Sequence, residues 1–133
     1  MNNLLPALLL LLISYTTSAQ DNMLIEAKPA TIWIEKGNHK QIINFDFLVT
    51  NKSADTLSLD KLSVSVFDKD NNLIQTRFLD NNGTAPSILL LPKRVWDGAA
   101  GHLVFNPFSE FEILTPIHRL TYEWTFTNTS YQF

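Results

Sequence analysis

Three stretches of the chain alternate apolar and polar residues with a period of two, the pattern of half-buried β-strands. In residues 41–50, Ile43, Phe45, Phe47 and Val49 fall on one side, and Asn44, Asp46, Leu48 and Thr50 on the other. In residues 62–68, Leu62, Val64 and Val66 point one way and Phe67 the other. In residues 118–127, Leu120, Tyr122, Trp124 and Phe126 oppose Arg119, Thr121, Glu123 and Thr125. A slip of one residue would send each apolar row into water, so register is strongly specified. The first two stretches are separated by a polar bend at 51–55 and read as arms of one long hairpin over residues 40–74, about which the chain is organised. The third stretch supplies a strand from the far end of the sequence. Its row and that of 41–50 are expected to share the core, with Phe47 and Trp124 both buried. The competing reading places Trp124 on an exposed face, where it would stack against a glycan.

The remaining segments give shorter signals. Residues 21–28 form a strand with Met23, Ile25 and Ala27 on one side, interrupted at Pro29 because proline lacks a ladder donor. Residues 31–35 resume as a second short strand, and 36–39 turn. Residues 56–59 form a short strand or strand edge, 68–72 a charged turn, and 73–79 a returning strand. Turn chemistry recurs at 80–83 and 97–101. Between them, residues 87–91 form an apolar run closed by Pro92, ahead of Val95 and Trp96. Residues 102–105 read as a strand, Phe108 and Phe111 as part of a loop or single helical turn ending near Pro116, and the tail 130–133 has no clear period. No stretch reads as an amphipathic helix. The expected fold is all-β, an immunoglobulin- or fibronectin-like antiparallel β-sandwich.

The start of the chain has a different character. Residues 4–13 are almost wholly apolar and are followed by the small, polar run Ser14 to Ala19. This is the layout of a secretory signal peptide, too short for a spanning helix, which needs roughly 20 residues. Residues 1–19 are expected to be removed between Ala19 and Gln20, leaving residues 20–133 as one domain with no transmembrane segment. The chain has no cysteine, which excludes a lipobox anchor and leaves the core alone to hold the exported domain. This favours a bacterial periplasm or surface, so the localisation is read as secreted or periplasmic. The net charge of −3 lies entirely outside the leader and argues against nucleic acid as a partner.

No residue pattern points to catalysis. There is no Gly-x-Ser-x-Gly elbow, no phosphate-cradling glycine loop and no His-Glu-x-x-His. His39, His102 and His118 are far apart, without ligand spacing. No catalytic, cofactor-binding or metal-binding residue is assigned, and no cofactor is expected. Asp68, Asp70, Asn71 and Asn72, and likewise Asp80, Asn81 and Asn82, offer oxygen ligands. They lack the glycine and distal glutamate of a calcium loop, and tight turns favour the same residues. Asn51, Asn82 and Asn128 begin glycosylation sequons that matter only in a eukaryotic host.

Three segments together resemble one family. They are Trp33-Ile34-Glu35-Lys36-Gly37 with Asn44-Phe45-Asp46-Phe47; Val66-Phe67-Asp68-Lys69 with Arg77-Phe78-Leu79-Asp80-Asn81-Asn82-Gly83; and Leu103-Val104-Phe105-Asn106-Pro107-Phe108 with His118-Arg119-Leu120-Thr121-Tyr122-Glu123. They resemble the β-sandwich segment ahead of the lysostaphin-like zinc endopeptidase domain in some secreted bacterial cell-wall hydrolases. The resemblance implies an accessory module without the zinc ligands, which in such enzymes lie in a downstream catalytic domain. Two functions follow as expectations. One is a secreted, non-catalytic binding or scaffold module whose partner is a cell-envelope protein or peptidoglycan, engaged by strand addition at an edge. The other is a detached fore-domain of a peptidoglycan hydrolase, working only beside a catalytic domain.

Overall fold

The computed structural model describes residues 22–82, 87–127 and 129–133. Its strands are β1 (Met23–Lys36), β2 (Lys40–Asn51), β3 (Leu57–Phe67), β4 (Leu73–Asp80), β5 (Val95–Trp96), β6 (Gly101–Phe105), β7 (Glu110–Glu112), β8 (Arg119–Phe126) and β9 (Thr129–Gln132). One 3-10 turn, Ile88–Leu90, is the helical element among the described residues. The expected leader, residues 1–19, lies outside them.

The strands form two antiparallel sheets. One has the order β1-β2-β6, with β7 continuing the β6 side of β2; the other has the order β4-β3-β8-β9, with β5 on β3. Each expected alternating stretch is a central strand. The hairpin expected over residues 40–74 does not form, however, because β2 pairs with β1, β6 and β7 while β3 pairs with β4, β5 and β8. The two arms lie in opposite sheets. Each has one apolar face, and pairing edge to edge would leave both faces bare; stacking one sheet on the other covers both. With the chain crossing between layers from β2 to β3, β5 to β6 and β7 to β8, the order is that of the expected immunoglobulin-like sandwich.

Phe47 sits at the centre of the core. Its ring lies 5.0 Å from Trp124 and 4.9 Å from Tyr122, both edge to face. Phe47, Trp124 and Phe126 are fully buried, so the aromatic row of β8 is core and Trp124 is no glycan platform. Trp96 is also fully buried, a role its short flanking sequence did not announce. Its ring packs on Phe126, and its Nε1 donates to the Val49 carbonyl at 3.1 Å, tying β5 to the opposite sheet.

The crossing from β2 to β3 is held by Asn51, which is fully buried. Its Nδ2 donates to the carbonyls of Asp55, Trp96 and Asp97, and its Oδ1 accepts from the Ser53 N–H and Oγ. The sequon reading of Asn51 is thereby corrected, since the amide is consumed by the bend. Against this bend packs the 97–100 turn, where a Cβ on Gly98 would come within 2.6 Å of the Ala54 carbonyl oxygen.

Two further expectations are revised. Residues 23–36 form one strand, not two, because β1 is a sheet edge and an edge tolerates proline. The interruption survives as a shift of register between Lys28 and Trp33. Phe111, expected in a loop or helical turn, lies on β7 opposite Gln41, and Phe108 precedes it; both are buried.

Candidate binding surface

The outward faces of the two sheets differ. On the β4-β3-β8 face, register places Ser63 beside Phe78 and Glu123, and Ser65 beside Thr76 and Thr121. Its aromatic rings are covered by cations: Lys61 stands 5.1 Å over Phe78, and the Arg119 guanidinium 3.9 Å over Phe67. That face carries mostly hydroxyls and charge, although Phe78 is 44% and Leu73 58% exposed on it.

The β1-β2-β6 face leaves its aromatic rings uncovered. Directly opposed residues share a face, so the outward positions follow from those of β2. Leu24 pairs Thr50, Leu103 pairs Leu48, Phe105 pairs Asp46 and Trp33 pairs Asn44. Trp33 is 67% exposed, Leu103 65% and Phe105 45%, and no described cation lies over either ring. Exposed apolar patches of this kind mark interaction sites far more often than isolated surface leucines do.

Part of this face is hollow. Between Lys28 and Trp33, β1 carries four residues against the single Phe45 of β2. On the other flank β6 ends at Phe105 and β7 begins at Glu110, so β2 lacks regular partners at the same level on both sides. The result is a depression of about 420 Å³ with Asn44 and Asp46 in it, Lys28 and Pro29 on one bank, and Phe105, Asn106 and Ser109 on the other. Asp46 Oδ1 accepts from the Asn106 N–H at 3.2 Å, which fixes that bank.

A second recess of about 330 Å³ opens between the sheets beside β1 and is mainly apolar, with Ile32, Ile34, Ile117, Leu120 and Phe133 among its walls beside His118 and Tyr122. A third of similar volume is polar, and its cations are already engaged: Lys40 pairs with Glu110, and Arg77 donates to the Glu110 carbonyl. That pair holds the Lys40 ammonium above its ordinary pKa and the Glu110 carboxyl below its own, through the shared hydrogen bond and charge attraction.

The residues weighed for metal chemistry are not brought together. Among the described residues no group of three His, Cys, Asp or Glu side chains is placed to hold an ion. In the 68–72 turn, Asp68 Oδ1 accepts the Asp70 and Asn72 N–H groups and its Oδ2 accepts the Asn72 side chain. Those bonds, Asn72 foremost, hold the carboxyl below its usual pKa. Asn71, in the left-handed region at φ 63°, accepts at its Oδ1 from the Arg119 guanidinium. Asp80 likewise serves the Asn82 N–H and side chain. Both clusters therefore act as turn formers.

Compared with family models, curated proteins and solved structures, the chain matches none. Sequence pattern placed the core rows but missed the surface: Leu24 and Trp33 stand at outward positions of β1, Leu103 and Phe105 at outward positions of β6, and no short-range spacing joins the two pairs. Their one sequence signal is that each breaks its strand's alternation by adding an apolar residue on the polar side.

Proposed function

We propose that this chain is a non-catalytic binding module, exported to the bacterial periplasm or cell surface, that attaches to the cell envelope through the outward face of β1, β2 and β6. The observation that carries this reading is the asymmetry of the two outer faces: one has its aromatic rings covered by cations, and the other leaves Trp33, Leu103 and Phe105 bare. The leader-like residues 1–19 and the resemblance to a module of cell-wall hydrolases point to the same compartment.

The face is favoured over strand addition at β1 or β4 because those two edges carry guards. β1 has Pro29 and an irregular register, and β4 turns Arg77 inward opposite Val64; proline, irregularity and inward charge are devices that discourage edge pairing.

The test is co-sedimentation of the mature protein with purified envelope material, comparing the parent with a Trp33→Ala, Leu103→Ser, Phe105→Ser variant. All three side chains are exposed, so the variant is expected to keep the parental melting temperature and to lose most of its sedimentation. Undiminished sedimentation would remove this face from consideration.

A further inference from the structure

We propose that the depression on this face binds a saccharide, an inference that rests on reading the face as the contact surface. Its chemistry is mixed in the way a sugar ring requires. Phe105 offers an apolar ring at one end, while Asn44, Asp46, Lys28 and Ser109 present amide, carboxylate, ammonium and hydroxyl groups. Lys28 is paired with Glu26 at 3.5 Å and Asp46 accepts the Asn106 N–H, so the charges of the hollow are already engaged within the protein and it selects a neutral ligand, while its polar groups select one rich in hydroxyls. Few neutral ligands combine an apolar C–H face with an edge of hydroxyls; a pyranose does, and such sites pair aromatic walls with a few placed polar groups.

Trp33 extends the site. It pairs Asn44, two residues along β2 from the Asp46 that pairs Phe105, and it stands on the opposite flank of β2. Strand spacing and rise place the two aromatic residues about 12 Å apart diagonally across the sheet. The polar positions of β2 lie between them, so a short oligosaccharide laid over β2 would meet an aromatic ring at each end and hydrogen-bonding groups in the middle.

The protein carries its own reporter. Trp33 is 67% exposed, whereas Trp96 and Trp124 are fully buried, so a ligand stacking on the surface changes the fluorescence of Trp33 alone. The experiment titrates the mature protein with tetrasaccharides of β-1,4-linked N-acetylglucosamine, of β-1,4-linked glucose and of α-1,4-linked glucose. The expected result is a saturable fluorescence change and protection of Trp33 from acrylamide quenching. Phe105→Ala and Asn44→Ala should each weaken binding at least tenfold in the same assay, with unchanged melting temperatures. Trp33→Ala is followed by calorimetry, since it removes the reporter. Preference for the N-acetylated chain assigns the ligand to the cell wall; preference for a glucan assigns it to another polysaccharide. If none of the three binds while the triple face variant still loses envelope sedimentation, the saccharide is wrong and the face docks a protein. If a sugar binds equally well to Phe105→Ala and Asn44→Ala, the depression is not its site.

Discussion

Phe47 touches aromatic rings of both sheets, and its environment sets the cost of changing it. Phe47→Ala and Trp124→Ala each remove a fully buried ring from a packed core, which costs about 3–5 kcal/mol. Glu123→Ala, on the outward side of β8, is expected to stay within about 0.5 kcal/mol. Chemical denaturation of the three variants measures the difference. Asn51 matters for another reason. Asn51→Ala leaves the buried Trp96 carbonyl and two part-buried carbonyls without their donor, and an unpaired buried polar group costs about 1–3 kcal/mol. A midpoint shift comparable to that of a core aromatic is therefore expected from a polar residue. Tyr122 adds a pH dependence. Burial pushes its hydroxyl up to about 12, against the opposing effect of the Asn106 amide that donates to it at 3.0 Å. Because the folded pKa is raised, the neutral form is favoured by folding. Stability is fully present below the unfolded value near 10 and falls as pH rises through about 12. Absorbance at 295 nm should show one tyrosine that resists ionisation at pH 11 in the folded protein and ionises on unfolding.

Among the elements, β2 and β3 show why alternation alone misleads about pairing. The period of two states which side of a strand is buried, but not which strand lies beside it. The bend at 51–55 could have closed a hairpin. Asn51 instead hooks it to the turn after β5, and that turn fits only because Gly98 has no side chain facing the Ala54 carbonyl. Gly98→Ala is expected to destabilise by more than the roughly 1 kcal/mol typical of a substitution, with the two segments forced apart. Thermal melts of Gly98→Ala beside Gly37→Ala, where an added Cβ meets ordinary contact at 3.5 Å, separate a steric clash from loss of glycine as such. Short elements were poorly legible for a similar reason. β5 and β7 have two and three residues, too few for a period to emerge, and each exists because a neighbour in the sheet needs a partner.

At the scale of the molecule, the sandwich has a closed and an open exterior. Net charge is small, the β1 and β4 edges are guarded, and Trp33, Leu103 and Phe105 share one face, so contact with the envelope is expected to be local and little affected by salt. Export provides an independent check: the mature terminus should be Gln20, read by N-terminal sequencing, and retention of Met1 would overturn the leader reading. The sequence by itself determined that the chain is all-β, which rows are core and how each strand faces it, because burial alternates residue by residue and is written locally. Tertiary structure alone decided that β2 and β3 part into different sheets, that Trp96 and Asn51 lock the crossing, and that Trp33, Leu103 and Phe105 share one face. Those facts depend on contacts between residues tens of positions apart, such as Trp96 with Val49 and Phe105 with Asp46. A local period cannot encode which distant strand will complete a sheet, since that choice is settled by the packing of two apolar faces against each other.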